Sequence, residues 1–263
     1  AIKGSKGLEN VKNVLSFIML NNIYKFAFQQ SKLVFPISKS LGREISSEHK
    51  VSLKKMVPVS ESGSHSFLNF PLSKPFSQRP KNILYIGSLD KERKLSFLIK
   101  SFKNVLNVYP MTKLILVGEG NDRSQLEKLS RDLKISSSTL FVGQKPNAIL
   151  PYISLFCVAG VSPIPAEKHY IYSTPTKVID YLSFGLPVIA NKEIKDQQQL
   201  ISQSLGGLSV DYKISSFSEG IVKILKELPN YEALAKRGRK WLKINRTFEL
   251  SALEVYNKME KFV

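Results

Sequence analysis

Lys177 and Asp180 stand three residues apart on the run Ser173 to Ala190, STPTKVIDYLSFGLPVIA. A cation near phosphates and a carboxylate within reach of a ribose would together hold a nucleotide. The run is built to present them. Ser173 or Thr174 can cap a helix, and Pro175 suits its first position, where a missing N–H costs nothing. Val178, Ile179, Leu182 and Phe184 follow at helical spacing, Gly185 stops the helix, and Leu186 to Ala190 reads as a buried strand. A helix that begins in a capped turn aims unpaired backbone N–H groups at one point, a natural phosphate site. An ordinary α/β helix with a good cap is the plain alternative.

A second stretch could do related chemistry. Gly87-Ser88-Leu89-Asp90-Lys91-Glu92-Arg93-Lys94 joins a strand to a helix. Ligands of open α/β sheets sit at the carboxyl ends of strands, so this loop faces the expected site. Gly87 lets backbone approach a phosphate, and either Arg93 or Lys94 can supply charge. Two solvated basic residues at a helix start are the alternative, which the helix dipole disfavours unless an anion is present. Val117-Gly118-Glu119-Gly120 begins like a dinucleotide fingerprint, but Arg123 replaces its third glycine, so a dehydrogenase is a weak reading. Phe141-Val142-Gly143 ends another strand.

The run Pro175 to Ala190 resembles the signature helix of retaining GT-B glycosyltransferases, the "glycosyl transferases group 1" family, with its P-x-K-x-x-E-x-(M/L)-x-x-G-x-P-V pattern. The resemblance implies a nucleoside-diphosphate sugar as donor, no bound metal and no cofactor. It puts Asp180 at the second acid of an E-x7-E pair, on the ribose. The first acid falls on Tyr172, so that half of the pair is missing, and Glu167 is a candidate substitute. The resemblance also assigns Gly87, Ser88, Arg93, Lys94, Thr176 and Lys177 to the donor diphosphate. It assigns Gly118, Val142, Gly143 and Asp180 to the nucleoside, and Tyr172, Ser173 and Thr174 to the donor sugar. It is strong from Asn82 to Ala190 and weak before Pro80: the family's P-x-G-V-D phrase is here Pro58-Val59-Ser60-Glu61-Ser62.

The elements that must position these residues alternate from Lys81 onward. Strands are predicted at Asn82 to Ile86, Lys113 to Val117, Thr139 to Val142, Leu155 to Val161 and Leu208 to Val210. Helices are predicted from Leu95 to Tyr109 and from about Arg123 to Leu133. Three more follow at Phe217 to Leu228, Tyr231 to Lys243 and about Glu249 to Phe262. The expected fold is α/β, a doubly wound parallel sheet of Rossmann type (a GT-B donor domain, residues 81–243), with a partial N-terminal acceptor domain (1–60). Residues 61–80, rich in Ser and Pro, read as a linker, and 244–263 as a C-terminal helix packing back toward the N-terminal part. In the N-terminal part, Leu8 to Gln30 reads as a core helix or one lying on a membrane. Lys32 to Ser38 and Val51 to Val59 read as strands flanking a helix from Lys39 to Ile45.

Composition bounds the rest. The 263 residues carry 39 Lys and Arg against 21 Asp and Glu, a net charge of +18. That charge suits an anionic membrane surface or is a Lys-rich background, with nucleic acid not expected as a partner. The single cysteine, Cys157, excludes an internal disulfide and reads as a core residue. His49, His65 and His169 lack metal spacing. No run approaches the ~20 apolar residues of a membrane span. The reading is a cytoplasmic glycosyltransferase, peripheral on the inner face of the cell membrane. It would move a sugar to a glycan or lipid-linked acceptor in cell-surface polysaccharide or glycolipid synthesis. The alternatives are a sugar-nucleotide epimerase of the same fold and a non-catalytic nucleotide-sugar or polyanion-binding remnant. With some 80 residues ahead of the donor half, the chain is expected to bind a nucleotide sugar but transfer it poorly unless a further segment or partner completes the cleft.

Overall fold

The computed structural model describes residues 16, 18–72, 74–174 and 176–262. These fall into two compact units: the residues up to Ser60 with those from Val255 onward, and Glu61–Glu254.

The larger unit is built on six strands: β1 (Ile83–Ile86), β2 (Leu114–Val117), β3 (Thr139–Phe141), β4 (Ala159–Ser162), β5 (Val188–Asn191) and β6 (Gly207–Val210). All pairings are parallel, in the order β3-β2-β1-β4-β5-β6. The central strands are apolar on both faces because helices cover both, and Ile83, Leu84, Leu114, Leu116, Val188 and Ile189 have no exposed surface. The order reverses between β1 and β4, the point where open α/β sheets leave a crevice. Counting in chain order after α1 (18–30), α2 (Lys39–His49) and α3 (His65–Asn69), the covering helices are α4 (Ser96–Leu106), α5 (Arg123–Asp132), α6 (Leu150–Ser154), α7 (Thr176–Ser183), α8 (Lys195–Ser204), α9 (Ile214–Lys226) and α10 (Leu228–Asn245). The doubly wound sheet expected from the strand–helix alternation is the fold observed.

Three expectations change. The stretch 61–80 is not a loose linker. It carries a short helix (His65–Asn69), and Phe67, Leu68 and Phe76 are buried. The Phe67 ring lies 4.8 Å from that of Phe184, and Arg239 of α10 donates to the carbonyls of Phe67, Leu68 and Phe70. Apolar anchors spaced too irregularly to show a period fasten the segment to the core. The fourth strand starts later than expected, at Ala159, because Leu150–Ser154 is helical and Arg79 caps its end by donating to Ser154 and Cys157 carbonyls at 3.3 Å. Helix α8 was not foreseen.

In the smaller unit, residues 18–30 are helical and Lys39–His49 form a second helix, with Ser38 capping it by accepting from the Leu41 N–H at 3.1 Å. Leu8 to Leu15 and Phe17 lie outside the described residues. The two strands expected at Lys32 to Ser38 and Val51 to Val59 reduce to one bridge, Val34 to Met56, and Leu53–Lys55 is a 3-10 turn. With no further strand to pair with, Phe35 and Ile37 are exposed. A last helix, Phe248–Met259, crosses from the larger unit into the residues grouped with the smaller one. Among the described residues, no helix is long and apolar enough to cross a membrane.

Candidate functional site

The site gathers where β1, β2 and β3 end. Three loops are laced together there: Gly87 donates to the Val117 carbonyl at 2.9 Å, Leu89 to Glu119 at 2.8 Å, and Gly118 to Gly143 at 3.0 Å. Two glycines make the lacing possible. Gly87 and Gly118 both have φ near +151°, and a Cβ on Gly118 would fall 1.9 Å from the Gly87 carbonyl oxygen. A Cβ on Gly87 would fall 2.5 Å from Cε of Lys177, so the lysine stem lies across the bare backbone of the β1 loop.

Lys177, in the first turn of α7, places its ammonium 5.7 Å from the centre of the Tyr85 ring. Arg93 approaches from the β1 loop: its Nε donates to Ser88 Oγ at 3.2 Å and its guanidinium stands 5.6 Å from the Tyr170 ring. Neither makes an ion pair among the described residues. Burial, and then the Arg93 charge, push the Lys177 ammonium down to about 8. Two cations brought together without an anion are an arrangement poised for one. Lys94 does not share it: its backbone is left-handed (φ 49°) and its ammonium is paired with Glu167. The structure thus separates Arg93 from Lys94. Glu167, the candidate substitute for the missing acid, lies against Lys94.

Asp180, one turn beyond Lys177, has the opposite problem. Burial, and then the Glu61 charge, push its carboxyl up to about 7, with Lys177 pulling the other way. Asp180, Glu61 and Thr176 line a cavity of about 730 Å³ whose other walls include Phe70, Tyr152 and Asn147. A second cavity of about 290 Å³ is lined by Gly87, Ser88, Gly118, Lys145 and Asn147. Asn147 lines both.

The remaining expected residues are divided. Gly118 faces the smaller cavity and Asp180 the larger, while Val142 donates to the Leu116 carbonyl at 3.0 Å and Gly143 is left-handed (φ +73°) beside it. Ser173 donates its N–H to Tyr170 at 2.9 Å, Thr174 donates its hydroxyl to Glu61 Oε1 at 3.1 Å, and the Lys195 ammonium stands 5.5 Å from the Tyr172 ring. Arg123, where a third glycine was lacking, ties β3 down. It pairs with Glu119 and Glu127 and donates to the Phe141 carbonyl at 3.3 Å. His49 is buried with its ring 5.1 Å from Phe28, and Cys157 is buried. Sequence reading missed Glu61 and Asn147. Glu61 stands in Ser60-Glu61-Ser62, where the family phrase is degraded, and Asn147 follows Gln144-Lys145-Pro146 in a polar loop without pattern.

Comparison with known proteins adds the family. The model of the family "Glycosyl transferases group 1" matches residues 69–241. An uncharacterized glycosyltransferase of Methanocaldococcus jannaschii is 28% identical over 199 residues, which cover 70% of this chain and 45% of that protein. Among solved structures, a variant of TarM from S. aureus in complex with Fondaparinux, alpha-GlcNAc-glycerol and UDP superposes with a TM-score of 0.72 at 13% identity. The match covers 89% of this chain and 45% of that one. HepE of Anabaena in complex with UDP and glucose gives 0.65 at 13% identity, with 88% and 63% covered. The chain spans about half the length of the first two relatives it matches in sequence.

Proposed function

The chain belongs to the glycosyl transferases group 1 family, and from that premise we propose that it binds a nucleoside-diphosphate sugar as the donor part of a transferase. The whole protein would pass the sugar, with retention at the anomeric carbon, to a glycan or lipid-linked acceptor. The observation that carries the reading is the Lys177 stem over the bare backbone at Gly87 with the Arg93 charge acting on it, neither cation in an ion pair among the described residues. A departing diphosphate develops negative charge at the bond that breaks, and fixed cations aimed there stabilise the transition state more than the bound donor. Lys177, Arg93 and the first N–H groups of α7 are the proposed source of that charge, in place of a metal ion. Gly87 and Ser88 would shape the diphosphate seat, with Thr176, on the wall of the larger cavity, at its border and Lys94 joining once it leaves Glu167. Gly118, Val142 and Gly143 would present backbone to the base, Asp180 would take the ribose, and Tyr172, Ser173 and Thr174 would face the sugar. In this reading residues 81–243 are the donor-binding domain and 1–60 part of an acceptor domain.

Two of the structural neighbours carry UDP, so UDP is the first probe, with GDP beside it. Calorimetry should show the Lys177→Met, Arg93→Ala double variant losing 10²-fold or more in affinity, as two charge-assisted contacts at ~1.5–3 kcal/mol each imply. Unchanged affinity would remove the diphosphate assignment.

An anionic membrane surface on the cytoplasmic side is the proposed second partner. The helix at 18–30 exposes Ile18, Met19, Leu20, Ile23 and Phe26, and the chain carries +18. Each basic residue near such a surface contributes ~1 kcal/mol. Flotation with anionic vesicles should fall off with salt; equal binding to neutral vesicles would rule out the electrostatic part.

A further inference from the structure

The larger cavity is lined by two carboxylates, Glu61 and Asp180, and by no basic residue. The carboxylate of Asp180 accepts no hydrogen bond among the described residues, and the residue is half-buried. Glu61, on the same wall, accepts one, from the Thr174 hydroxyl to Oε1 at 3.1 Å, and its Oε2 accepts none among the described residues. Burial and then the charge of Glu61 raise the Asp180 carboxyl to about 7, so each carboxylate feels the other. Half-buried acceptors are poorly hydrated, and like charges side by side add to the cost. None of the residues lining this cavity is basic. Lys177 reaches the other way, over Tyr85 and Gly87. A phosphate would be repelled here. A neutral group with two adjacent O–H donors would satisfy both carboxylates at once, and aromatic walls at Phe70 and Tyr152 suit the apolar faces of a sugar ring or base.

We propose that Glu61 is a specificity-determining residue: with Asp180 it accepts the two hydroxyls of the nucleotide's ribose diol, so the site selects ribonucleotides over 2′-deoxy, 3′-deoxy and ribose-phosphorylated ones. Thr174, just ahead of α7, orients Glu61 for this. The inference rests on the donor-nucleotide reading above and assigns a residue that the signature helix does not contain. The same diol chemistry belongs to the donor sugar, so the ligands must separate the two sources.

The test measures binding of UDP, 2′-deoxy-UDP, 3′-deoxy-UDP, UDP-glucose and pyrophosphate to the wild-type chain and to Glu61→Ala, Glu61→Gln and Asp180→Asn. Wild type should prefer UDP over each deoxy form by about tenfold, the worth of one hydrogen bond to a charged group. Glu61→Ala should lose that preference against one deoxy form and keep it against the other, with Glu61→Gln in between and pyrophosphate unaffected. Asp180→Asn should show the complementary loss. If UDP binds but Glu61→Ala discriminates as wild type does, Glu61 does not read the ribose. If Glu61→Ala weakens UDP-glucose and leaves UDP unchanged, the diol is the sugar's and the ribose assignment falls. If wild type binds neither UDP nor pyrophosphate, the donor reading itself fails, and the inference with it.

Discussion

Lys177 and Asp180 share a helix and a half-buried setting, yet the regions they serve are opposites. At the Lys177 corner two cations meet without an anion, and burial drags the lysine down to about 8. At the Asp180 wall two carboxylates meet with no cation lining the cavity beside them, and burial lifts the aspartate to about 7. Desolvation disfavours charge of either sign, so the protein on its own keeps both groups at a loss. Each region is stable only at the expense of what surrounds it, and each is completed by a ligand of the opposite character. A nucleotide is such a ligand, with a polyanion at one end and a cluster of hydroxyl donors at the other. A helix placed to cap a sheet would gain from neutral side chains at both positions; this one trades stability for a site.

The comparison can be broken at the shared floor first. Gly118→Ala puts a methyl 1.9 Å from the Gly87 carbonyl oxygen at a left-handed position, and should cost about 3 kcal/mol in urea unfolding. A loss under about 0.5 kcal/mol would mean that the β1 and β2 ends part freely and the cation corner is not pre-built. Next, Asp180→Asn should stabilise the empty protein, and only above acid pH. The carboxyl ionises near 7 in the folded chain against 3.8 in the ordinary state, so its ionisation penalty is absent below about pH 4, grows between 4 and 7, and is complete above. Thermal melts should show a gain of about 1–3 kcal/mol at pH 8 and little at pH 4. Lys177→Met should give the smaller, mirrored effect. The folded ammonium titrates near 8 against 10.5, so its penalty is full below pH 8 and fades by about 10.5. A gain of about 1–2 kcal/mol at pH 7 should vanish near pH 11. Gains of both variants that follow pH in the same direction would erase the contrast.

The corner was readable from sequence and half of the wall was not. Lys177, Asp180, Gly87 and Gly118 sit in runs where strand, turn residue and helix follow one another, so local spacing fixes which way they point. Glu61 lies in a Ser- and Pro-rich stretch with no period, and contacts distant in sequence, among them Phe67, Leu68 and Phe76 reaching the core one by one, bring it to the cavity. Helix α8 hid for another reason: Lys195–Ser204 is mostly polar, and Asp196, Gln197 and Ser204 are buried along with Leu200 and Ile201. The overstated elements, the strands near Val34 and Met56, were short apolar runs whose residues found no sheet to join. Choosing Arg93 over Lys94 also needed three dimensions, because Glu167 lies 73 positions from its lysine partner.

The sheet parts where it does because something stands in the gap. Strands β1 and β4 stay in register for only two pairs, Ile83 with Ala159 and Leu84 with Gly160. There Tyr181 of α7 presses its ring onto Gly160, so tightly that a methyl on that glycine would sit 2.3 Å from the ring, and its hydroxyl accepts the Ile86 N–H at 2.8 Å. The hydroxyl takes over the amide that a neighbouring strand would otherwise have held, and the ring drives the two strand ends apart as a wedge does. Because Tyr181 is covalently next to Asp180 and one turn from Lys177, the wedge that opens the crevice and the groups that face into it move as one piece. A turn of α7 would therefore carry the Tyr181 ring and the Lys177 and Asp180 side chains with it, so spacing between the strands and aim of the lining depend on one helix.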